Sequence, residues 1–206
     1  MKLYVHASLA AVAAAAGDIV VVDFKGTDKA TTHTWRANND PVMGGKSYST
    51  VAVEGAMLNF TGACEIVPAL KAPGFITAVN SDKTPFVDVS SCEGIKITHK
   101  SMNDYTGFRV SFGTAHAPGG GFFARGYKAN FSPSVGAFGD AIISFKNFTD
   151  FWDDGTGKPI HTCAENDKYC PTKASLENFE TMSVWAEGVE GSISLLISAI
   201  SGYNCK

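Results

Sequence analysis

Phe108-Arg109-Val110-Ser111-Phe112 alternates apolar and polar residues one for one. Successive side chains of an extended chain point to opposite faces, so Phe108, Val110 and Phe112 share one side and Arg109 and Ser111 the other, the pattern of a half-buried antiparallel strand. Ile95-Lys96-Ile97-Thr98 repeats the pattern upstream. Working outward, alternating or β-branched segments recur at 19–24, 47–53, 56–61, 75–79, 122–131, 141–145, 182–186 and 192–200. Turn-forming clusters separate them, as at Pro73-Gly74, 101–104, 118–121 and 153–158. Only 174–180 and 147–152 read as short helices. Without helices between the strands a parallel sheet lacks its crossovers, so the expected fold is all-β, two antiparallel sheets packed face to face.

Composition agrees. Of 206 residues, 45% are hydrophobic and 11% aromatic, enough for one core built largely from the 14 Phe, while the 21 Gly supply turns. A formal charge of -3 removes the cationic footprint that a sequence-independent nucleic-acid binder or a polybasic membrane-surface protein needs. No nucleic-acid partner is expected, and no apolar run is long enough for a transmembrane anchor.

Residues 1–16 read as a cleavable signal peptide: Lys2 gives a positive start, 3–16 is apolar and Ala-rich, and Ala14-Ala15-Ala16 offers the small residues of a cleavage site before Gly17. Residues 17–206 then form a single β-sandwich domain, with a secretory or extracellular location. Cysteine usage fits that route. Cys163 and Cys170 flank a polar loop short enough for one disulfide, whereas the pairing of Cys64, Cys92 and Cys205 stays open. Glycosylation acceptor tripeptides begin at Asn59, Asn130 and Asn147.

Several apparent catalytic or cofactor motifs fail on spacing. Gly45-Lys46-Ser47 imitates the end of a phosphate loop, but Asp40 stands where its first glycine belongs. Gly119-Gly120-Gly121 runs into a strand rather than a helix. Around Asp150, Asp153 and Asp154, Trp152 and His161 occupy ligand positions of a calcium-binding EF-hand loop. The five histidines are scattered, and neither a Gly-x-Ser-x-Gly elbow nor a zinc-protease motif occurs. No catalytic residue, metal or cofactor is expected.

One constellation remains: Trp35, then Asn39-Asp40-Pro41-Val42-Met43-Gly44-Gly45 and, past Lys46, Ser47. Asp40 is suited to accept from nearby amides, Pro41 fixes its own φ, and the paired glycines allow close backbone approach, so the loop is rigid without being helical. Trp35 and Met43 are placed to cover one open end of the sandwich, as a structural plug or as a ligand- or partner-contacting loop. This string closely resembles the signature of the complex I intermediate-associated protein 30 family, whose domain assists assembly of mitochondrial NADH:ubiquinone oxidoreductase. Leu58-Asn59-Phe60-Thr61-Gly62, Pro73-Gly74-Phe75, Gly94-Ile95-Lys96-Ile97, Tyr127-Lys128-Ala129-Asn130-Phe131 and Gly191-Ser192-Ile193-Ser194-Leu195 follow in the family's order. Pro73 departs from it, standing where the family usually has the first of two glycines.

The resemblance implies a galactose-binding-like jelly roll and a non-catalytic, chaperone-like or assembly-factor role with a protein partner, for which a mitochondrial location is the alternative address. The leader and acceptor tripeptides support a second expectation, a secreted or endomembrane carbohydrate-binding module that contacts a glycan through loops and exposed aromatics such as Trp35, Tyr127 and Trp152.

Overall fold

The computed structural model describes residues 16–40, 45–67, 72–114, 126–153 and 158–206. The proposed leader, apart from Ala16, lies outside the described residues. So do Pro41, Val42, Met43, Gly44, the triple glycine and Asp154. In chain order the strands are β1 (Gly17–Asp23), β2 (Trp35–Asn39), β3 (Tyr48–Glu54), β4 (Met57–Cys64), β5 (Ile66–Val67), β6 (Ala72–Pro73), β7 (Phe75–Asn80), β8 (Gly94–Ser101), β9 (Phe108–Phe112), β10 (Tyr127–Asn130), β11 (Gly139–Ser144), β12 (Met182–Glu187) and β13 (Gly191–Cys205). Among the described residues one short α-helix, α1 (Lys173–Glu177), overlaps the expected helical stretch 174–180, its N-terminus capped by Thr172 accepting from the Ser175 N–H. No helix among the described residues is long and apolar enough to cross a membrane.

Two antiparallel sheets form the body. The six-stranded sheet runs β11-β8-β13-β4-β3, and β1 lies alongside β13; the five-stranded sheet runs β10-β9-β12-β7-β2. β5 and β6 make a separate two-stranded ribbon. Strand β13 is long enough to pair with β8 on one side and, in succession, with β4 and β1 on the other. Between the sheets lie the inward faces read from alternation: Phe108, Val110 and Phe112 of β9 are buried, as are Ile95 and Ile97 of β8 and Met182, Val184 and Ala186 of β12. Each large side chain so buried contributes about 1.5–3 kcal/mol.

Two local expectations are corrected. Trp35–Asn39, read as the polar start of a loop, is strand β2, an edge strand whose register against β7 is Arg36 opposite Val79 and Asn38 opposite Thr77. Its single large apolar residue, Trp35, packs on the core and leaves too little alternation to be seen locally. The stretch 147–152 is not a helix: a 3-10 turn at Phe145–Asn147 is followed by an antiparallel bridge between Thr149 and Lys128. Backbone pairing with β10 wins over local helix propensity there.

Cys163 and Cys170 are disulfide-bonded, and the open pairing resolves as Cys92–Cys205, leaving Cys64 free and buried. The second bond fixes the end of β13 to the loop before β8. Gly202 lies against it: a Cβ there would come within 2.6 Å of the Cys92 sulfur.

Candidate functional site

The signature segment sits where the chain crosses between sheets twice. The chain leaves β2 in one sheet and enters β3 in the other, then leaves β4 and enters β7 of the first sheet. The crossings are laced together. The Asp40 N–H donates to the Phe75 carbonyl at 3.1 Å, the Glu65 N–H to Ser47 Oγ at 3.0 Å, and the Gly74 N–H to the Glu65 carbonyl at 2.9 Å. Ser49 Oγ donates to Asn39 Oδ1 at 2.5 Å. Two glycines are forced by the closeness. A Cβ on Gly45 would stand 2.6 Å from the Asp40 carbonyl oxygen, and one on Gly74 would stand 2.8 Å from Ser47 Oγ and 3.0 Å from Asp40 Oδ2. Asn39, Asp40, Gly45 and Ser47 therefore form a clasp joining the two layers, with Trp35 on the core at its entry.

The outer face of the five-stranded sheet carries a different chemistry. Its register sets Asn130, Arg109, Trp185, Thr77 and Asn38 side by side across all five strands, and next to them Lys128, Ser111, Ser183, Val79 and Arg36. These are the residues opposite the core-facing set, so a solvated polar face is expected from the pleat. At the β10 end it is instead covered. Trp152, held by its indole N–H on the Thr149 carbonyl at 2.6 Å, lies over the Lys128 ammonium at 4.6 Å and the Arg109 guanidinium at 5.0 Å. Lys128 is also 4.7 Å from the Trp185 ring, so the ammonium is sandwiched between two indoles. The Glu187 carboxylate accepts from Lys128 at 2.7 Å and from Arg109 at 2.5 Å, so both cations share this one carboxylate and are largely desolvated. The Nε of Arg109 is buried and has no hydrogen-bond partner. Trp185 itself is half-buried, its indole N–H donating to Ser111 Oγ at 2.7 Å, and its ring meets Phe75 at 5.3 Å.

Toward β2 the cover ends. Phe75 and Trp185 are partly open, and Arg36 and Asn38 are exposed beside them. This arrangement offers two partly open rings, Trp185 held against the Lys128 ammonium and Phe75 packed on Trp185, with the exposed Arg36 and Asn38 beside them. The aromatics expected to be exposed are covered instead: Tyr127 and Trp152 are 4% and 3% exposed, and Trp35 is partly buried with its ring 5.9 Å from Phe24. Burial of Tyr127 also pushes its hydroxyl pKa above the usual range. None of Trp185, Phe75, Arg109, Lys128 and Glu187 is among the binding residues expected from the sequence, although Arg109 of Phe108–Phe112 and Trp185 and Glu187 of Met182–Glu187 stand at alternating positions opposite the core-facing set.

A cleft of about 580 Å³ opens beside this face, between edge strands β10 and β11. Asn130 and Asn147 both line it and are both exposed, whereas Asn59 is partly covered in the middle of β4, between Ala52 and Leu196. Among the described residues, no group of three or more His, Cys, Asp or Glu side chains is arranged to hold a metal ion.

A two-layer antiparallel sandwich with this topology is a galactose-binding-like fold. The chain belongs to the complex I intermediate-associated protein 30 (CIA30) family, whose sequence profile matches residues 22–162. No curated protein matches it in sequence. Among solved structures it is similar to the family 11 carbohydrate-binding module from Clostridium thermocellum in complex with a β-1,3-1,4-mixed-linked tetrasaccharide, with a TM-score of 0.58 at 14% identity over 93% of this chain and 98% of that one. The family 11 module of the cellulosomal cellulase Lic26A-Cel5E of Clostridium thermocellum gives a TM-score of 0.56 at 15% identity, covering 93% and 97%. An agarase, AgWH50C, gives 0.51 at 8% identity, covering 91% of this chain and 24% of the enzyme. At these identities the likeness is one of fold.

Proposed function

We propose that this CIA30-family chain is a non-catalytic recognition domain that binds saccharide chains across the outer face of its five-stranded sheet. The observation that carries the reading is the partly open Phe75–Trp185 pair, with Lys128 against the Trp185 ring and the exposed Arg36 and Asn38 at its border. A pyranose presents an apolar ring face and a rim of hydroxyls, and fixed aromatic faces with neighbouring hydrogen-bonding groups are complementary to both. Two disulfides support an oxidising compartment, and a secretory or extracellular location is part of the proposal. Binding measured by affinity electrophoresis in soluble polysaccharides, followed by calorimetry on the best ligand, tests it. Phe75→Ala and the exposed-residue variant Asn38→Ala should each weaken binding at least tenfold with their melting transitions preserved. Failure of the parent protein to bind any polysaccharide or glycan would overturn it.

Family membership favours a second reading, an assembly-factor or chaperone-like domain whose ligand is another polypeptide, including an intermediate of respiratory complex I. The same open half-face would then be the docking surface. Crosslinking in the native cell distinguishes the two: enrichment of respiratory subunits, lost in Arg36→Glu, supports the protein-binding reading, and a purely extracellular protein with no such enrichment removes it.

A further inference from the structure

We infer that the cleft between β10 and β11 is the seat of the protein's own N-linked glycan, attached at Asn130 or Asn147. The inference does not rest on saccharide recognition by the sheet face. Two of the three acceptor tripeptides, Asn130-Phe131-Ser132 and Asn147-Phe148-Thr149, are far apart in the chain. Mutual backbone bonds between Lys128 and Thr149, at 2.9 and 3.1 Å, bring them to the same place. Both asparagines are exposed and both line the cleft. Its walls suit the first sugars of such a glycan. Ile142 and Val189, two large apolar side chains left 54% and 37% exposed, offer surface to ring faces and acetamido methyls, while the exposed Asp140 and Lys158 stand by for hydroxyls and amide groups. A volume of about 580 Å³ is within the range of sites that enclose a small ligand. The two disulfides fit the oxidising lumen in which the modification occurs.

The chemistry is transfer from a lipid-pyrophosphate-linked oligosaccharide. A bond forms between the asparagine amide nitrogen and the anomeric carbon. The bond from that carbon to the pyrophosphate oxygen breaks, the lipid pyrophosphate leaves, and the amide gives up one proton. At Asn147 this must precede folding, because Phe148 and Thr149 are fully buried and Thr149 Oγ accepts from the Phe151 N–H at 3.1 Å. At Asn130 the tripeptide's Ser132 stays exposed after folding.

The full chain, with its own N-terminus, is expressed for secretion by an N-glycosylating eukaryotic cell. Glycopeptide mapping should find sugar on Asn130, Asn147 or both, lost in the Asn130→Gln/Asn147→Gln double variant. Amide exchange in segments 106–109 and 139–144, which line the cleft, should be several-fold slower in the glycosylated protein than in the double variant, and enzymatic deglycosylation should reproduce the faster exchange. Secreted protein with neither site occupied, or with sugar on Asn59 alone, overturns the inference. So does occupancy that leaves exchange in both segments unchanged, which would mean the glycan projects into solvent.

Discussion

Asp82 ties the chain before β2 to the chain after β7: its carboxylate takes a 2.9 Å contact with His33 Nδ1, accepts from the Thr34 N–H at 2.7 Å and accepts from the Thr84 N–H at 3.1 Å. Burial pushes its pKa up, but the bonds from His33 and the two amides outweigh burial and hold it at about 2, below the ordinary 3.8. The folded-state value is depressed, so the carboxylate's contribution to stability is complete above about pH 4 and is lost as pH falls toward 2. Asp82→Asn should therefore melt lower than the parent protein at neutral pH, and the gap should close between about pH 4 and pH 2 in thermal scans. Cys64 shows the opposite perturbation. Burial pushes its thiol up to about 11, and the sulfur donates to the Ala186 carbonyl at 2.8 Å. Since the thiolate is the reactive form, native protein at pH 8 should resist iodoacetamide at Cys64, and alkylation should appear only on unfolding. Rapid modification of the native protein would show that this wall of the core opens.

The clasp and the two disulfides act on whole elements. Gly45→Ala places a methyl against the Asp40 backbone, which cannot move as a flexible side-chain tip does, so a loss of about 1–3 kcal/mol is expected in urea melts. Gly17→Ala, with nothing within 4 Å, is the matched control. Loop-closure entropy ranks the disulfides. Removing Cys92–Cys205, with a separation of 113 residues, should cost about 4–5 kcal/mol, and removing Cys163–Cys170, with a separation of 7, about 2–3 kcal/mol. Paired Cys→Ser variants in calorimetry check the order. The same elements explain what was readable from the sequence. Strand β9 announces itself because Phe108, Val110 and Phe112 alternate with polar residues within one short stretch, and the Cys163–Cys170 bond because its loop is short. Strand β2 is hidden because it is specified by pairing with β7, not by its own pattern. The face bearing Trp185 is hidden for a related reason: Arg109, Lys128, Trp185 and Glu187 meet only through the register of β10, β9 and β12. Trp152 and Tyr127, expected to be exposed, are buried, because cover by a distant segment leaves no local trace.

At the scale of the molecule, the last two strands complete everything that precedes them. Strand β12 lies between β9 and β7, and β13 between β8 and the β4–β1 pair, so each sheet has a central strand contributed by the end of the chain. The family match, residues 22–162, ends before both. A fragment limited to those residues would expose the edges of β7, β9, β4 and β8 and lose the buried Met182, Val184, Leu195, Ile197 and Ile200, together worth about 10 kcal/mol, which is the size of a typical domain's whole stability. It would also lose Cys205 and with it the bond to Cys92. The matched segment is therefore a unit of sequence resemblance and not a unit of folding. Expressed alone, residues 22–162 should give the circular dichroism of an unfolded chain and be cut by trypsin within minutes, while the full chain remains resistant. Adding residues 163–206 as a separate peptide should not restore resistance at micromolar concentration, because bringing two central strands together from separate chains adds an association cost of at least about 4 kcal/mol. A protease-resistant 22–162 fragment with a β-sheet spectrum would show instead that the remaining strands close up without their centres.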